Sequence, residues 1–361
     1  MIEVLIIISL SIFSIISVFN FFTAPVLQNS LNINPQDKLV SILIPVRNEE
    51  KNIEKCINGV LIQNYNNKEI IILDDCSTDN TFKIASSIKH DNLKVVKGEQ
   101  LPEGWLGKNW ACHQLSQSAN GSFLLFIDAD VILKPESVSS AVYEIENSKS
   151  SLLSVFPTQI IKSLGEHLIV PLMNWLLLTF LPLKLVHTSK REALVAANGQ
   201  FMLWDRDSYF LVGGHKMVKN KIVEDMELAR LCKLNGLKIL TLLGGNLIFC
   251  RMYSSFKESY NGFTKNFYPG FTINPFAFLV FIIFLFLIFN SPLINFVYSI
   301  NIVIIIILLF LIRISVAIKS KQSLILTALL HPFQMLLMIW IAINSVIKFH
   351  TKNLEWKQRK I

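Results

Sequence analysis

Residues 123–130 read Phe123-Leu124-Leu125-Phe126-Ile127-Asp128-Ala129-Asp130, five apolar residues that stop at two carboxylates spaced i, i+2. A short, wholly apolar run of this kind suits a strand covered on both faces, as in a sheet packed between helices. The same shape recurs upstream. Glu69–Leu73 is a strand ended by Asp74-Asp75, and Leu39–Ile44 leads into Pro45-Val46-Arg47-Asn48-Glu49. Leu93–Val96 reads as a further strand, and helical patterns fall over about Glu49–Gln63 and from near Asp79. This alternation predicts an α/β body built on a mostly parallel, Rossmann-like sheet. Ligands of such sheets bind beyond the carboxyl ends of the strands, which is where the acidic clusters lie.

Outside this body the composition changes. The chain has 361 residues, of which 52% are hydrophobic and 17% charged, against roughly 25% charged in a soluble domain. The deficit is local: Val4–Gln36, Asn266–Ile312 and Gln322–Ile347 contain no Asp, Glu, Lys or Arg. These stretches total 106 residues, so the 60 charges fall among the other 255, an ordinary density. A disordered chain, a small disulfide-built domain and a purely soluble enzyme are excluded. The net charge of +8 is uneven too. Asp37–Lys265 holds 26 basic and 24 acidic residues, whereas from Arg313 onward there are 8 basic and 1 acidic. The basic excess therefore borders apolar segments, where membrane lipids or positive-inside retention account for it; no nucleic-acid partner is expected.

Ile2–Phe22 has the length of a bilayer span, with no basic residue before it and no small-residue cleavage site after it. It reads as an anchor, residues 1–25, rather than a cleaved signal. Pro275–Phe289 and Leu293–Ile312 read as further spans, and Leu324–Ile347 as an apolar run broken at His331-Pro332, all within 273–347. Leu168–Leu183 is short and holds Pro171 and Pro182, so residues 164–186 are expected to be interfacial or membrane-associated. A cytoplasmic body (37–270) with three later spans would put the basic tail (348–361) outside. A re-entrant hairpin at His331-Pro332 would return it to the cytoplasm. The expected location is therefore the cell (inner, cytoplasmic) membrane, with the body facing the cytoplasm. The five cysteines show no C-x-x-C spacing and read as small buried thiols without a role.

Three acidic motifs carry the chemistry. Asp128 and Asp130 can hold a divalent cation, Mg2+ or Mn2+, that also takes diphosphate oxygens, or they can shape a turn before Pro135. In Asp74-Asp75-Cys76-Ser77-Thr78-Asp79, Asp79 or Ser77 can cap the next helix, and two further acids exceed what capping needs and suit a nucleoside. Glu224-Asp225 opens a helix, either as complement to its dipole or as a general base. Lys108 is a candidate second cation, or a surface lysine. Arg251 can meet a diphosphate, an acceptor or a lipid headgroup, and His215 an acceptor or only its own loop.

Ser41-Ile42-Leu43-Ile44-Pro45-Val46-Arg47-Asn48-Glu49-Glu50, the 74–79 motif, Asp128-Ala129-Asp130 and Glu224-Asp225 occur in the order and rough spacing of family 2 glycosyltransferases, which the chain resembles from about Val40 to Lys265. Within that family it is similar to the membrane-anchored branch that glycosylates lipids, including the 4,4'-diaponeurosporenoate (carotenoid) and hopene-associated enzymes. Shared segments are Gly104-Trp105-Leu106-Gly107-Lys108-Asn109-Trp110, Ala197-Asn198-Gly199-Gln200-Phe201, Gly213-Gly214-His215, Arg251-Met252-Tyr253, Gly262-Phe263-Thr264-Lys265-Asn266 and Glu355-Trp356-Lys357.

The resemblance implies a GT-A fold, a nucleotide-sugar donor (most often a UDP-sugar), a divalent metal and inverting transfer to a lipid in the bilayer. By it, Pro45, Arg47, Glu49, Asp74, Asp75, Lys108 and Asp128 would meet the donor, Asp128 and Asp130 the metal, and Asp225 with Glu224 the proton. Gln200, His215 and Arg251 would lie on the acceptor side. The Q-x-x-R-W motif of processive synthases is absent from the sequence, and Arg251-Met252-Tyr253 occupies that region, so one sugar per acceptor is expected. The alternatives are a polyprenyl-phosphate or cell-envelope polysaccharide transferase, and a catalytically inactive nucleotide-binding scaffold.

Overall fold

The computed structural model describes residues 2–29, 38–271, 273–294, 300–353, 355–356 and 359–360. Asp37 at the expected start of the body, residues 295–299 of the third apolar run and Lys357 of the tail lie outside the described residues. Contacts divide the chain into two units. One comprises Pro25–Thr158 and Leu185–Arg251; the other comprises Met1–Ala24, Gln159–Lys184 and Met252–Ile361.

The first unit is the α/β body. Its strands are β1 (Val40–Val46), β2 (Lys68–Asp74), β3 (Leu93–Lys97), β4 (Phe123–Ile127), β5 (Val131–Leu133), β6 (Leu152–Phe156), β7 (Thr158–Gln159), β8 (Phe201–Asp205), β9 (Ile239–Leu243) and β10 (Ile248–Cys250). Seven form one sheet in the order β3-β2-β1-β4-β8-β6-β9, and β5, β10 and β7 form a smaller one. The expected parallel half is present: β3, β2, β1 and β4 all run the same way. Strand β8 runs against both β4 and β6, a reversal that no local pattern announced.

Burial explains the composition of these strands. Every residue of β4 is buried, as is every residue of β1 except half-buried Pro45. They pack with Ile53, Ile57, Val60, Val138 and Val142 of the covering helices. Each such side chain contributes roughly 1.5–3 kcal/mol on burial. Pro45 can stand in a central strand because the β1–β4 ladder stops two residues earlier, at Leu43↔Phe126, so its missing N–H breaks no bond to that neighbour. Register also sets the site. Val46 lies opposite Asp74, and Ile127 opposite Phe201. The ends of β1, β2 and β4 and the beginning of β8 therefore share one edge.

The second unit is helical. Ile2–Thr23, Asn301–Lys319 and His331–His350 are long and apolar enough to cross a membrane. Ile2–Thr23 and Ile300–Lys319 run parallel: Asn301 Nδ2 donates to Glu3 at 2.7 Å, and Ser14 Oγ to the Leu308 carbonyl at 3.3 Å. Pro275–Phe289 and His331–His350 run antiparallel, since Tyr268 N donates to Ser345 Oγ (2.9 Å) at one end and His331 meets the Phe289 carbonyl at the other. The third apolar run ends inside a helix. Its helix continues past Ile312 through Arg313 to Lys319, because Arg313 is buried rather than marking the helix end. Leu168–Leu183 resolves into Leu164–Ile169, opened by a Ser163/Glu166 capping box, and Pro171–Phe180, opened by Pro171.

Candidate active site

Two loops interlock at the carboxyl ends of β1 and β2. Arg47 Nη1 donates to the carbonyls of Asp75 (2.6 Å) and Cys76 (2.9 Å). Asn48 N donates to Ser77 Oγ at 3.0 Å, Thr78 N to Asn48 Oδ1 at 2.8 Å and Glu49 N to Thr81 Oγ1 at 2.7 Å. Asn48 and Cys76 adopt left-handed backbone (φ 51° and 54°), which these loops hold against the usual preference. Asp79 accepts from Thr81 N at 2.9 Å where the next helix begins and from Glu50 N of the other loop at 3.2 Å. Asp74 accepts from Ser77 N through Oδ2 (3.1 Å), while its buried Oδ1 has no protein partner.

The second cluster forms around Asp128. Lys108, in the first turn of helix Gly107–Ser118, places Nζ 2.9 and 3.0 Å from the two Asp128 oxygens and 3.0 Å from Glu224 Oε1. Helix Glu224–Leu234 therefore begins against β4 through a lysine. The next residue, Asp225, accepts from Gly199 N through Oδ2 (2.8 Å) and from Met226 N through Oδ1 (2.8 Å). Asp128 N donates to the Gln200 carbonyl at 3.2 Å, as the antiparallel β4–β8 pairing requires. Gln200 Nε2 donates to Cys250 Sγ at 2.9 Å, and the Cys250 thiol in turn contacts the Asp130 carboxylate. Asp130 Oδ1 is buried without a partner.

Electrostatics sorts these acids into roles. Asp130 is pushed up to about 7, first by burial and then by repulsion from Asp128 and Glu49. Asp128 is also raised by burial, with Lys108 pulling the other way. Burial alone would raise Glu224, yet Lys108 outweighs it and holds the carboxyl below its usual range. Its neighbour Asp225 is pushed up to about 6 by burial and by the Glu224 charge. Of these two adjacent acids one is thus held ionised while the other exchanges its proton near pH 6. Among the described residues Lys108 is the amine that faces Asp128 and Glu224, and it leaves the negative charge of the half-buried Asp128, Asp130 and Asp225 incompletely offset. Among the described residues no three Asp, Glu, His or Cys side chains form a ready-made metal site. The open Asp130 oxygen beside Asp128 fits a hard cation that completes its shell with a ligand's own oxygens.

The structure thus brings together Lys108, Asp128, Asp130, Gln200, Glu224 and Asp225, and along the same edge Pro45, Arg47, Glu49, Asp74 and Asp75 at the ends of β1 and β2, with Glu49 near enough to repel Asp130. Arg251 directly follows β10, one residue from Cys250. His215 is buried behind this cluster, near enough to feel the charges of Glu224 and Lys108: it is 3% exposed, its Nδ1 lies 2.7 Å from Tyr209 Oη, its ring packs on Phe126, and burial pushes it down to about 3. Gly214 serves that packing, since a Cβ there would lie 2.5 Å from the Tyr209 ring. Sequence reading missed two contributors. Cys250 bridges Gln200 to Asp130, although the cysteines carry no spacing signal. Gly199 packs so closely that a Cβ would stand 3.1 Å from Lys108 Nζ and 3.2 Å from Glu224 Oε1. Gly199→Ala should leave Tm within roughly 3 °C, since the lysine end can move. It should also lower turnover about tenfold by displacing that amine. Steady-state kinetics beside a melting curve would check both.

Fold and site together define an α/β domain of the GT-A type. The sequence matches Glycosyl transferase family 2 over residues 41–224, just over half of the chain, and the chain belongs to that family. It is 30% identical over 246 residues to a 4,4'-diaponeurosporenoate glycosyltransferase of Staphylococcus aureus, with 67% of this chain and 63% of that protein covered. It is 28% identical over 234 residues to the protein of the same name from Staphylococcus haemolyticus, with 64% and 61% covered. The chain spans a little under two thirds of the length of these relatives. A mannosyltransferase from Pyrobaculum calidifontis, solved in complex with GDP-Man and Mn2+, shares the fold at a TM-score of 0.50 and 15% identity, over 96% of this chain and 98% of that one.

Proposed function

We propose that this chain is a membrane-bound, inverting glycosyltransferase that moves one sugar from a nucleotide-sugar donor, a UDP-sugar by preference, to a lipid acceptor such as a carotenoid acid, hopanoid or other terpenoid. The observation that carries the reading is the convergence of the Asp128–Asp130 pair and the base Asp225 around Lys108 at one sheet edge. The name of the Staphylococcus relatives and the apolar helices support the acceptor class.

In this reading Pro45, Arg47, Glu49, Asp74 and Asp75 form the nucleoside end, with Asp74 Oδ1 open to a base N–H or a ribose hydroxyl. Asp128 and Asp130 would hold Mg2+ or Mn2+, which supplies neutralisation of charge on the leaving diphosphate. Lys108 contributes a second positive charge there. An acceptor oxygen attacks the anomeric carbon, the bond to the diphosphate oxygen breaks, and Asp225 takes the acceptor's proton. Glu224 holds Lys108 in place and keeps the local charge negative, which favours protonation of Asp225. Gln200 and Arg251 border the acceptor side, with His215 supporting that region through its packing on Tyr209.

The same reading gives a topology. The parallel Ile2–Thr23 and Ile300–Lys319 pair would put residues 23 and 319 on one membrane side, and the chain would turn back at His331-Pro332. Residues 324–347 would form a re-entrant hairpin, with the basic tail and the body both cytoplasmic.

The test uses the purified full chain with Mn2+ or Mg2+, UDP- and GDP-sugars, and a membrane lipid extract. Release of nucleoside diphosphate that requires metal and lipid, with a glycolipid seen by mass spectrometry, is the expected result. Folded protein that releases nothing with any donor would overturn the proposal. Activity confined to polyprenyl phosphate would move it to the cell-envelope class.

A further inference from the structure

Arg313 sits in the apolar helical unit where a charge is costly. It is 3% exposed, on a helix whose other faces show Ile304, Ile307, Phe310, Leu311, Ile314 and Ile318 to the surroundings. Its guanidinium lies over the Trp175 ring, 5.1 Å from the centroid. One of its three nitrogens, Nη2, contacts His331 Nδ1. His331 Nε2 lies 2.9 Å from the Phe289 carbonyl, which can only accept, so Nε2 carries the ring proton and Nδ1 is a lone pair. The histidine is therefore a neutral acceptor that aims the guanidinium without balancing its charge. Arg313 Nε and Nη1 have no hydrogen-bond partner, and neither has Nε1 of Trp175. Among the described residues no carboxylate pairs with Arg313.

Two guanidinium nitrogens without acceptors on a buried cation, with an unpartnered indole nitrogen on the ring beneath it, are the complement of an oxygen-rich anion. A buried guanidinium left uncompensated is strongly unfavourable, and ionisable groups at membrane depth mark ligand sites. The position selects the ligand's other end. Arg313 precedes Lys319 by six residues, about 9 Å along the helix axis, and its helix is apolar on the outside. A soluble anion would have to leave water to reach it, whereas an amphiphile already in the bilayer would not.

We propose that Arg313, with Trp175 and aimed by His331, binds the anionic head, carboxylate or phosphate, of a lipid. The site lies wholly within the apolar helical unit and stands whether or not the chain transfers sugars. In the transferase reading, a terpenoid carboxylic acid and an anionic phospholipid are two sources of the same head chemistry.

Full-length protein in detergent would be examined by native mass spectrometry with four probes: palmitate, methyl palmitate, phosphatidylglycerol and phosphatidylcholine. The expected result is at least tenfold higher occupancy for an anionic probe than for its neutral counterpart, and loss of that preference in Arg313→Gln. Preference for palmitate over phosphatidylglycerol would assign the site to carboxylate lipids, and the reverse to phosphate lipids. Equal retention of charged and neutral probes by the unmutated protein overturns the proposal, as does an Arg313→Gln protein that keeps the preference. Should Arg313→Gln fail to fold, the comparison of each acid with its neutral counterpart on the unmutated chain decides alone. His331→Gln serves as a second variant, and should weaken the preference without abolishing it.

Discussion

Asp225→Asn should lower kcat by about two to four orders of magnitude, the usual worth of a positioned general base, while nucleotide-donor binding is retained. The substitution keeps the size of the side chain and its place beside Gly199. It also turns one acceptor oxygen into a donor facing a backbone N–H, so a stability loss of roughly 1–2 kcal/mol is expected beside the kinetic one. The pH profile separates the two effects. Burial and the adjacent Glu224 charge push Asp225 up to about 6, so the ionised base is present above that value and is lost as pH falls through it. Activity of the unmutated chain should therefore fall about tenfold per unit below pH 6, and that limb should vanish in Asp225→Asn. A nucleotide-binding scaffold would show neither. An acceptor that is a carboxylic acid is already ionised near neutrality. For such an acceptor the loss should shrink below tenfold, and the product would be a glycosyl ester.

The second large effect concerns the acidic pair. Asp130→Asn should reduce metal-dependent turnover at least 100-fold, because the amide offers a divalent cation a neutral and weaker ligand. Its effect on the metal-free fold runs the other way. Asp130 is raised to about 7 by burial and by Asp128. A carboxyl whose pKa is higher folded than unfolded binds more protons in the native state, so stability falls as pH rises between roughly 4 and 7. Metal-free protein should melt several degrees lower at pH 8 than at pH 5.5, and Asp130→Asn should flatten that difference. Adding Mn2+ with a nucleoside diphosphate should reverse the order. At about 100 times its dissociation constant a ligand contributes roughly 2.7 kcal/mol to the native state, and the variant should gain little. Melting curves across pH, with and without ligand, would check both signs.

Both predictions depend on features that differ in how far they could be read in advance. The Phe123–Ile127 run announces a buried strand, and Asp128 and Asp130 announce a site at its end, because hydrophobic pattern and strand length are local properties. The boundaries of β1, β2, β3 and β4 stand within two residues of their expected places for the same reason. Membrane-length helices are equally local. The uncharged run ends at Ile312, but its helix does not: Arg313 turns inward on Trp175 and the helix continues to Lys319. For His215 the Gly-Gly-His string leaves an acceptor contact and loop packing both open, and only the tertiary structure shows its ring packed on Tyr209 and Phe126.

By itself the sequence determined that an α/β body of ordinary charge density adjoins apolar helices, that its acids end its strands, and that it resembles the family to which it belongs. These are properties of composition, periodicity and order along the chain. Tertiary structure alone decided which acids meet. Antiparallel β8 carries Gly199 and Gln200 to Asp128 across 70 residues of chain, and Lys108 joins Asp128 to Glu224. The downward drift of Glu224 follows from that lysine and the upward drift of Asp225 from burial and the Glu224 charge, since a pKa answers to the charges and burial that the fold places around a group.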